Sequence, residues 1–339
     1  MDMTGKHIAI LLLGGTIASY TDANGNAVVV DISEYVRRIP AFAGLDVRVN
    51  SFKQLGGLET TIQDMVEVSE ELKRILRQDQ PDGIVVVMGT NVMEEAAFAI
   101  QVLVQTDTPI VFTGAMRVPD ACGADGPGNL AAAVAAAASP ACKGLGVLVV
   151  FNDEIHSADY VQKLHPLNPG AFGSKFMLGY VAEGVASVRV HPVRRPLHWI
   201  QVKTGPKDVL LYTSYLGDSG RLLAQAETLG FDGLVIEGTG GGSVPSWVFD
   251  HVERMHEKMP VVIATRTGNG DVMRNTYGYG YGSPKYREEK GYLTTGHLDS
   301  RKARILLTLL LMSECTPEQI RESFRIYSRD YIPQLEANT

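Results

Sequence analysis

Two short apolar runs, Ile8–Leu12 and Gly83–Val87, each lead straight into a glycine–threonine turn, and this pairing constrains the fold more than any other feature of the chain. The first turn reads Leu13-Gly14-Gly15-Thr16-Ile17-Ala18-Ser19, and the second Met88-Gly89-Thr90-Asn91-Val92-Met93-Glu94-Glu95. Near-continuous apolar runs bounded by turns are the pattern of strands buried on both faces, as in a parallel sheet. Strands are expected at His7–Leu13, Leu45–Asn50, Gly83–Met88, Pro109–Phe112 and Val147–Phe151. Segments of helical spacing or composition, Asp31–Arg38, Thr61–Arg77, Val92–Gln105 and Gly128–Ala138, separate them. Such alternation gives a doubly wound α/β sheet. Ligands of these sheets bind beyond the carboxyl ends of the strands. Each turn therefore delivers a threonine hydroxyl to the edge where a ligand would sit, and a hydroxyl there suits nucleophilic chemistry if a base lies nearby.

The alternation loosens near residue 190, where His191-Pro-Val-Arg-Arg-Pro196 favours an extended path. It resumes with strands at Val209–Tyr212, Gly233–Glu237 and Pro260–Ala264, and helices at Asp218–Leu229, Pro245–Lys258 and Arg301–Ser313. Thr316-Pro317-Glu318 starts a last helix with an N-cap threonine and a first-turn proline. With 339 residues, the expectation is a larger N-terminal domain at 1–190, a linker at 191–208 and a smaller C-terminal α/β domain at 209–339.

Charge argues against some partners. Lys and Arg number 31 against 38 Asp and Glu, a net charge of −7, with no concentrated basic face for nucleic acid or an anionic membrane. No run reaches the roughly 18 apolar residues of a membrane helix, and the first apolar run passes into a glycine turn without a cleavage site. A cytoplasmic protein is expected. The three cysteines, Cys122, Cys142 and Cys315, are scattered and imply neither a disulfide framework nor a metal site.

Taken one at a time, the candidate residues have ordinary readings as well. A Gly-Gly-Thr turn can be a plain strand exit, and neither turn carries a phosphate-loop or dinucleotide fingerprint. Glu94 and Glu95 fall in the first turn of a helix, where acids favour the macrodipole, and capping is their preferred role. Thr113-Gly114-Ala115-Met116-Arg117, Ala124-Asp125-Gly126-Pro127 and Asn152-Asp153 reach the same sheet edge. Lys163, in a stretch without periodicity, is either a solvated charge or, if folded against Thr90, a desolvated base.

The motifs taken together resemble the bacterial-type L-asparaginase/glutaminase family. The likeness runs through GGTIAS, GTNVMEEAAF, VFTGAMR and ADGPGNL, then Asp232–Gly241, Thr265-Arg266, Gly270-Asp271-Val272 and Leu298-Asp299-Ser300-Arg301-Lys302-Ala303-Arg304, in collinear order along nearly the whole chain. The resemblance implies a two-domain α/β fold, usually a homodimer or homotetramer, without metal or organic cofactor. It implies hydrolysis of a small-molecule amide through a threonine-acylated intermediate. By the same resemblance Thr16 is the nucleophile, Thr90, Asn91 and Lys163 assist, and Gly15, Gly89 and Ala115 line the site. Backbone donors around Thr90 and Ala115 would hold the oxyanion. Tyr20 is the tyrosine nearest the nucleophile, though closer to it than in the family.

Two positions depart from the family pattern. Asn91 stands where the family has an aspartate that pairs with the substrate's α-ammonium group. Gly57, followed by Leu58 and Glu59, stands where a serine holds the α-carboxylate. The chemistry therefore looks retained and the specificity altered, toward an amide without a free zwitterion. The alternatives are asparagine hydrolysis with Glu59 supplying the charge, or a binding protein that has lost turnover. The stretch 268–292 is dense in glycine and tyrosine. It is either a surface loop or, as in the family, a segment reaching a neighbouring subunit's site with Arg274, Tyr277, Tyr279 and Tyr281.

Overall fold

In the computed structural model, residues 5–21, 27–29, 42, 44–55, 57–192, 197–277 and 280–327 are described. The helix expected at 31–38 and positions 193–196 of the expected linker lie outside them. Contacts divide the chain into two units, Met1–Arg194 and Arg195–Thr339.

The first apolar run forms β1 (His7–Leu12), which is buried from Ile8 onward. A single 3-10 turn, Thr16–Ala18, follows, then the hairpin of β2 (Ser19–Thr21) and β3 (Ala27–Val29), and β4 (Asp46–Ser51). Helix α1 (Ile62–Gln78) starts where a reciprocal capping box forms. The Thr61 hydroxyl accepts the Asp64 N–H, and the Asp64 carboxylate accepts the Thr61 N–H. Its buried stripe, Met65, Val68, Leu72 and Ile75, has helical spacing. There follow β5 (Gly83–Val87), α2 (Met93–Leu103), β6 (Ile110–Thr113), α3 (Gly126–Ala138) and β7 (Val147–Phe151). The alanine-rich segment forms α3, with Ala132 to Ala138 buried in the core beneath the sheet.

Strands β4, β1, β5, β6 and β7 lie side by side in that order and all run parallel. The chain leaves β1 toward β4 on one side and leaves β5 toward β6 on the other. The strand order therefore reverses between β1 and β5, and the crevice of such a sheet opens at that reversal.

The sheet extends further than the sequence pattern indicates. Asn152 and Asp153 both adopt positive φ, 49° and 63°, and form a two-residue hairpin turn into β8 (Glu154–Ser157), antiparallel to β7. A separate hairpin pairs β9 (Val161–Lys163) with β10 (Phe172–Ser174). Strands β11 (Met177–Ala182) and β12 (Val185–Val188) then complete an eight-stranded sheet on its antiparallel side. Asn152-Asp153 thus turns the chain back into the sheet.

The second unit is a smaller sheet of four parallel strands, β13 (Val209–Thr213), β14 (Gly233–Gly238), β15 (Val261–Thr265) and β16 (Leu293–Thr294). Its helices are α4 (Arg221–Ala226), α5 (Ser246–His256), α6 (Pro284–Glu289), α7 (Ser300–Met312) and α8 (Pro317–Arg325). Helix α4 begins later than Asp218 because the Asp218 carboxylate is engaged elsewhere. It accepts from the Tyr212 and Ser214 hydroxyls and the Gly220 N–H. Helix α8 opens on Thr316 with a capping box to Gln319. Among the described residues, no helix is long and apolar enough to cross a membrane.

Candidate active site

The reversal of strand order brings the two glycine–threonine turns together. Leu12 pairs with Val87 at the ends of β1 and β5, and the Leu13 N–H donates to the Val87 carbonyl at 2.8 Å. Two residues on, Gly15 presses against the second turn. A Cβ built there would lie 2.7 Å from both Gly89 Cα and the Met88 carbonyl carbon, and closer still to the Gly89 nitrogen. Gly15 also has φ +97°, so backbone conformation and space both demand glycine. A methyl on Gly89 would in turn meet Gly57 Cα at 3.5 Å and Gly15 Cα at 3.7 Å, so three turns converge on one point. Thr16 is half-buried and Thr90 is buried.

Lys163 occupies the last position of β9, and its Nζ donates to Thr90 Oγ1 at 2.8 Å. The hairpin rather than any helical periodicity brings it there. Burial pulls the ammonium below the ordinary lysine pKa, and the Glu94 carboxylate opposes that shift. Glu94 also accepts the Lys163 backbone N–H. Its role therefore exceeds capping, although it does lie in the first turn of α2. Glu94 is 4% exposed, and a carboxylate this buried requires such partners.

The loop after β6 is fixed from beneath. The Asp125 carboxylate accepts the Met116 and Arg117 N–H groups. The Asn129 amide donates to the Gly114 carbonyl and to Asp125, and accepts the Asn152 N–H. Ala115, buried at 1% exposure, is thereby held in place, and Asp125 and Asn129 are positioning residues. The sequence signal for Glu94 is a carboxylate in a helix whose other positions, apart from Glu95 and Gln101, are apolar. For Asp125 and Asn129 it was the pair of short polar side chains flanking Gly-Pro-Gly at a helix start.

The positions expected to hold a substrate's polar end are open by contrast. Gly57 sits half-buried in a turn, Leu58 is 86% exposed, and Glu59 and Asn91 are exposed. Asn91 Nδ2 lies 3.4 Å from where a Gly57 Cβ would be, so these two positions face each other. Tyr20 lies on β2 opposite Val28, with its side chain outside the described set. Tyr279 lies outside the described residues. Tyr281 donates to Asp250 and Glu253 of its own unit, and Tyr277 is exposed. No group of three or more His, Cys, Asp or Glu side chains among the described residues could hold a metal ion.

Comparison with known proteins finds relatives along most of the chain. The family described as Asparaginase, N-terminal matches residues 7–194, and the Glutaminase/Asparaginase C-terminal domain matches residues 208–324. An L-asparaginase of Bacillus licheniformis is 32% identical over 325 residues, covering 94% of this chain and 99% of that one. A glutaminase-asparaginase of Acinetobacter glutaminasificans is 28% identical, covering 95% of this chain and 100% of the relative. The crystal structure of a probable cytoplasmic L-asparaginase from Campylobacter jejuni superimposes with a TM-score of 0.82 at 29% identity, covering 94% and 99% of the two chains. The chain belongs to the asparaginase family of two-domain α/β amidohydrolases, which act on carbon–nitrogen bonds other than peptide bonds.

Proposed function

We propose that the protein hydrolyses a small-molecule amide through acylation of Thr16, and that its substrate lacks the free zwitterion of asparagine. Thr16 Oγ1 attacks the amide carbonyl carbon. Backbone N–H groups around Thr90 and Ala115 hold the developing oxyanion. The carbon–nitrogen bond then breaks, the amine leaves with the proton, and an ester on Thr16 remains. Lys163, bonded to Thr90 and desolvated, takes a proton through the Thr90 hydroxyl from the attacking water. The ester is cleaved, the proton held by Lys163 passes to the departing Thr16 oxygen, and a carboxylic acid and free Thr16 result.

The altered specificity rests on one observation, the neutral pair of Asn91 and Gly57 facing each other where an acid and a hydroxyl are expected. A substrate ammonium group placed there would lack a counter-ion, which costs several kcal/mol when desolvated. A second reading, asparagine hydrolysis with Glu59 supplying the charge, is supported by the names of the relatives, L-asparaginase and glutaminase-asparaginase. A binding protein without turnover is disfavoured by the intact contact between Lys163 and Thr90. Assembly as a homodimer or homotetramer is part of the proposal. Steady-state assays of asparagine beside N-acylated and des-amino amides decide among these readings. The expected result is higher kcat/KM for a substituted amide. Turnover of asparagine at ordinary enzyme efficiency overturns the altered specificity, and no turnover of any amide overturns the enzyme.

A further inference from the structure

Lys163 is carried by β9 and β10, a two-stranded sheet separate from the eight-stranded one. No backbone ladder of the large sheet therefore fixes how far its Nζ reaches toward Thr90. Side chains dock the hairpin. The Glu94 carboxylate of α2 accepts the Lys163 N–H. Phe172, the cross-strand partner of Lys163, packs its ring against Phe151 of β7, with centroids 4.8 Å apart. Two residues further along β10, Ser174 Oγ lies 2.9 Å from Nδ1 of His156, a residue of β8 in the large sheet. His156 is 1% exposed, and the hydrolytic chemistry uses neither it nor Ser174. Burial lowers the His156 pKa to about 4, so its ring is neutral at neutral pH and above. A hydroxyl both donates and accepts, so Ser174 satisfies Nδ1 in either tautomer of that neutral ring. The Glu154 carboxylate faces the other ring nitrogen at 3.2 Å.

A buried polar bond between two elements fixes their spacing, because leaving either partner unsatisfied is costly. Here the bond joins the large sheet to the strand opposite Lys163. Ser174 is two residues from Phe172, about 7 Å along an extended strand, so a shift of the hairpin at Ser174 carries Lys163 with it. We propose that His156 and Ser174 are a positioning pair for Lys163: their hydrogen bond seats the β9–β10 hairpin on β8 and so sets the reach of Lys163 Nζ to Thr90. The kinetic consequence rests on the proposed role of Lys163 as a base, whereas the seating of the amine is readable without any substrate.

NMR titration of the full-length protein, labelled with carbon-13 at lysine Cε, reads the Lys163 pKa directly. The Lys163 signal is identified by its loss in Lys163→Met. His156 is neutral throughout the range in which a lysine titrates, so replacing it changes no charge there and a shift in Lys163 reports geometry. Ser174→Ala and His156→Phe should let water reach the amine and raise its pKa from the depressed parent value toward 10.5. His156→Asn, whose amide can meet the Ser174 hydroxyl near the Nδ1 position, should stay close to the parent. On the amide that the parent turns over best, kcat should fall roughly tenfold to a hundredfold in Ser174→Ala and His156→Phe, with KM little changed. A pair that serves only the core would lower the melting temperature of these two variants and leave the Lys163 titration as in the parent, which overturns the proposal. So does a His156→Asn protein no closer to the parent than His156→Phe. Full turnover by Lys163→Met instead removes Lys163 as the base, and the titration still decides how its amine is seated.

Discussion

The two halves of the crevice are built to different tolerances. On the reacting half, Gly15 is wedged against Met88 and Gly89 with no room for a methyl, and Lys163 reaches Thr90 at 2.8 Å from a hairpin tied to Glu94. On the recognition half, a side chain added at Gly57 would meet Asn91 at ordinary contact distance, and Leu58 and Glu59 stand in solvent. Close packing transmits any change in volume, so the reacting half can vary little without loss of geometry. The open half can exchange side chains without disturbing the fold. Under the proposed function, this contrast is what would let the reacting half stay fixed while the recognition half carries Asn91 and Gly57.

The sharpest way to break the comparison is at Lys163. Lys163→Met should lower kcat on the order of 10³-fold, the scale of a lost general base. Because burial depresses the Lys163 pKa, the free amine forms at a lower pH than for an ordinary lysine. The rate should therefore rise with pH along an alkaline limb centred below 10.5, and Lys163→Met should abolish that limb. A pH–rate profile of both proteins checks this, and a limb that survives the substitution assigns it elsewhere.

Next in size is Gly15→Ala, which forces a side chain into a left-handed conformation and against Gly89. A loss of about 3 kcal/mol is expected, from the positive φ and the overpacking together. It is read as a shift in the denaturant midpoint. A change under about 0.5 kcal/mol would mean that the reacting half is looser than its geometry implies.

The smallest effect on the fold, and the most informative for function, is expected from Gly57→Ser combined with Asn91→Asp. Both sites have space, so stability should change by no more than about 0.5 kcal/mol. Selectivity for asparagine over a des-amino amide should rise roughly tenfold or more, since a paired charge and a hydroxyl are restored. An unchanged ratio of kcat/KM values would remove these two positions from substrate recognition.

Much of this was legible in the chain. The buried strands β1 and β5 and the cap at Thr61 follow from apolar runs and hydrogen-bonding side chains that act locally. The turns at Gly15 and Gly89 were visible for the same reason. The antiparallel extension through β8, β11 and β12 was not, because its strands are short and the Asn152-Asp153 turn resembles a strand end. For Glu94 the sequence shows a first-turn acid in a mostly apolar helix, but not that its carboxylate meets the Lys163 backbone, which depends on a distant hairpin.

The sequence alone determined that two threonines would reach the edge of a parallel sheet, since strand burial and turn chemistry are local properties. The resemblance carried in its motifs also set the expectation that Asn91 and Gly57 stand where the family has an acid and a hydroxyl. Only the tertiary structure decided that Lys163 bonds Thr90 and that Glu94 holds the Lys163 backbone, across separations of 73 and 69 residues. Such pairings depend on where distant segments pack, and no local preference of the chain encodes that distance.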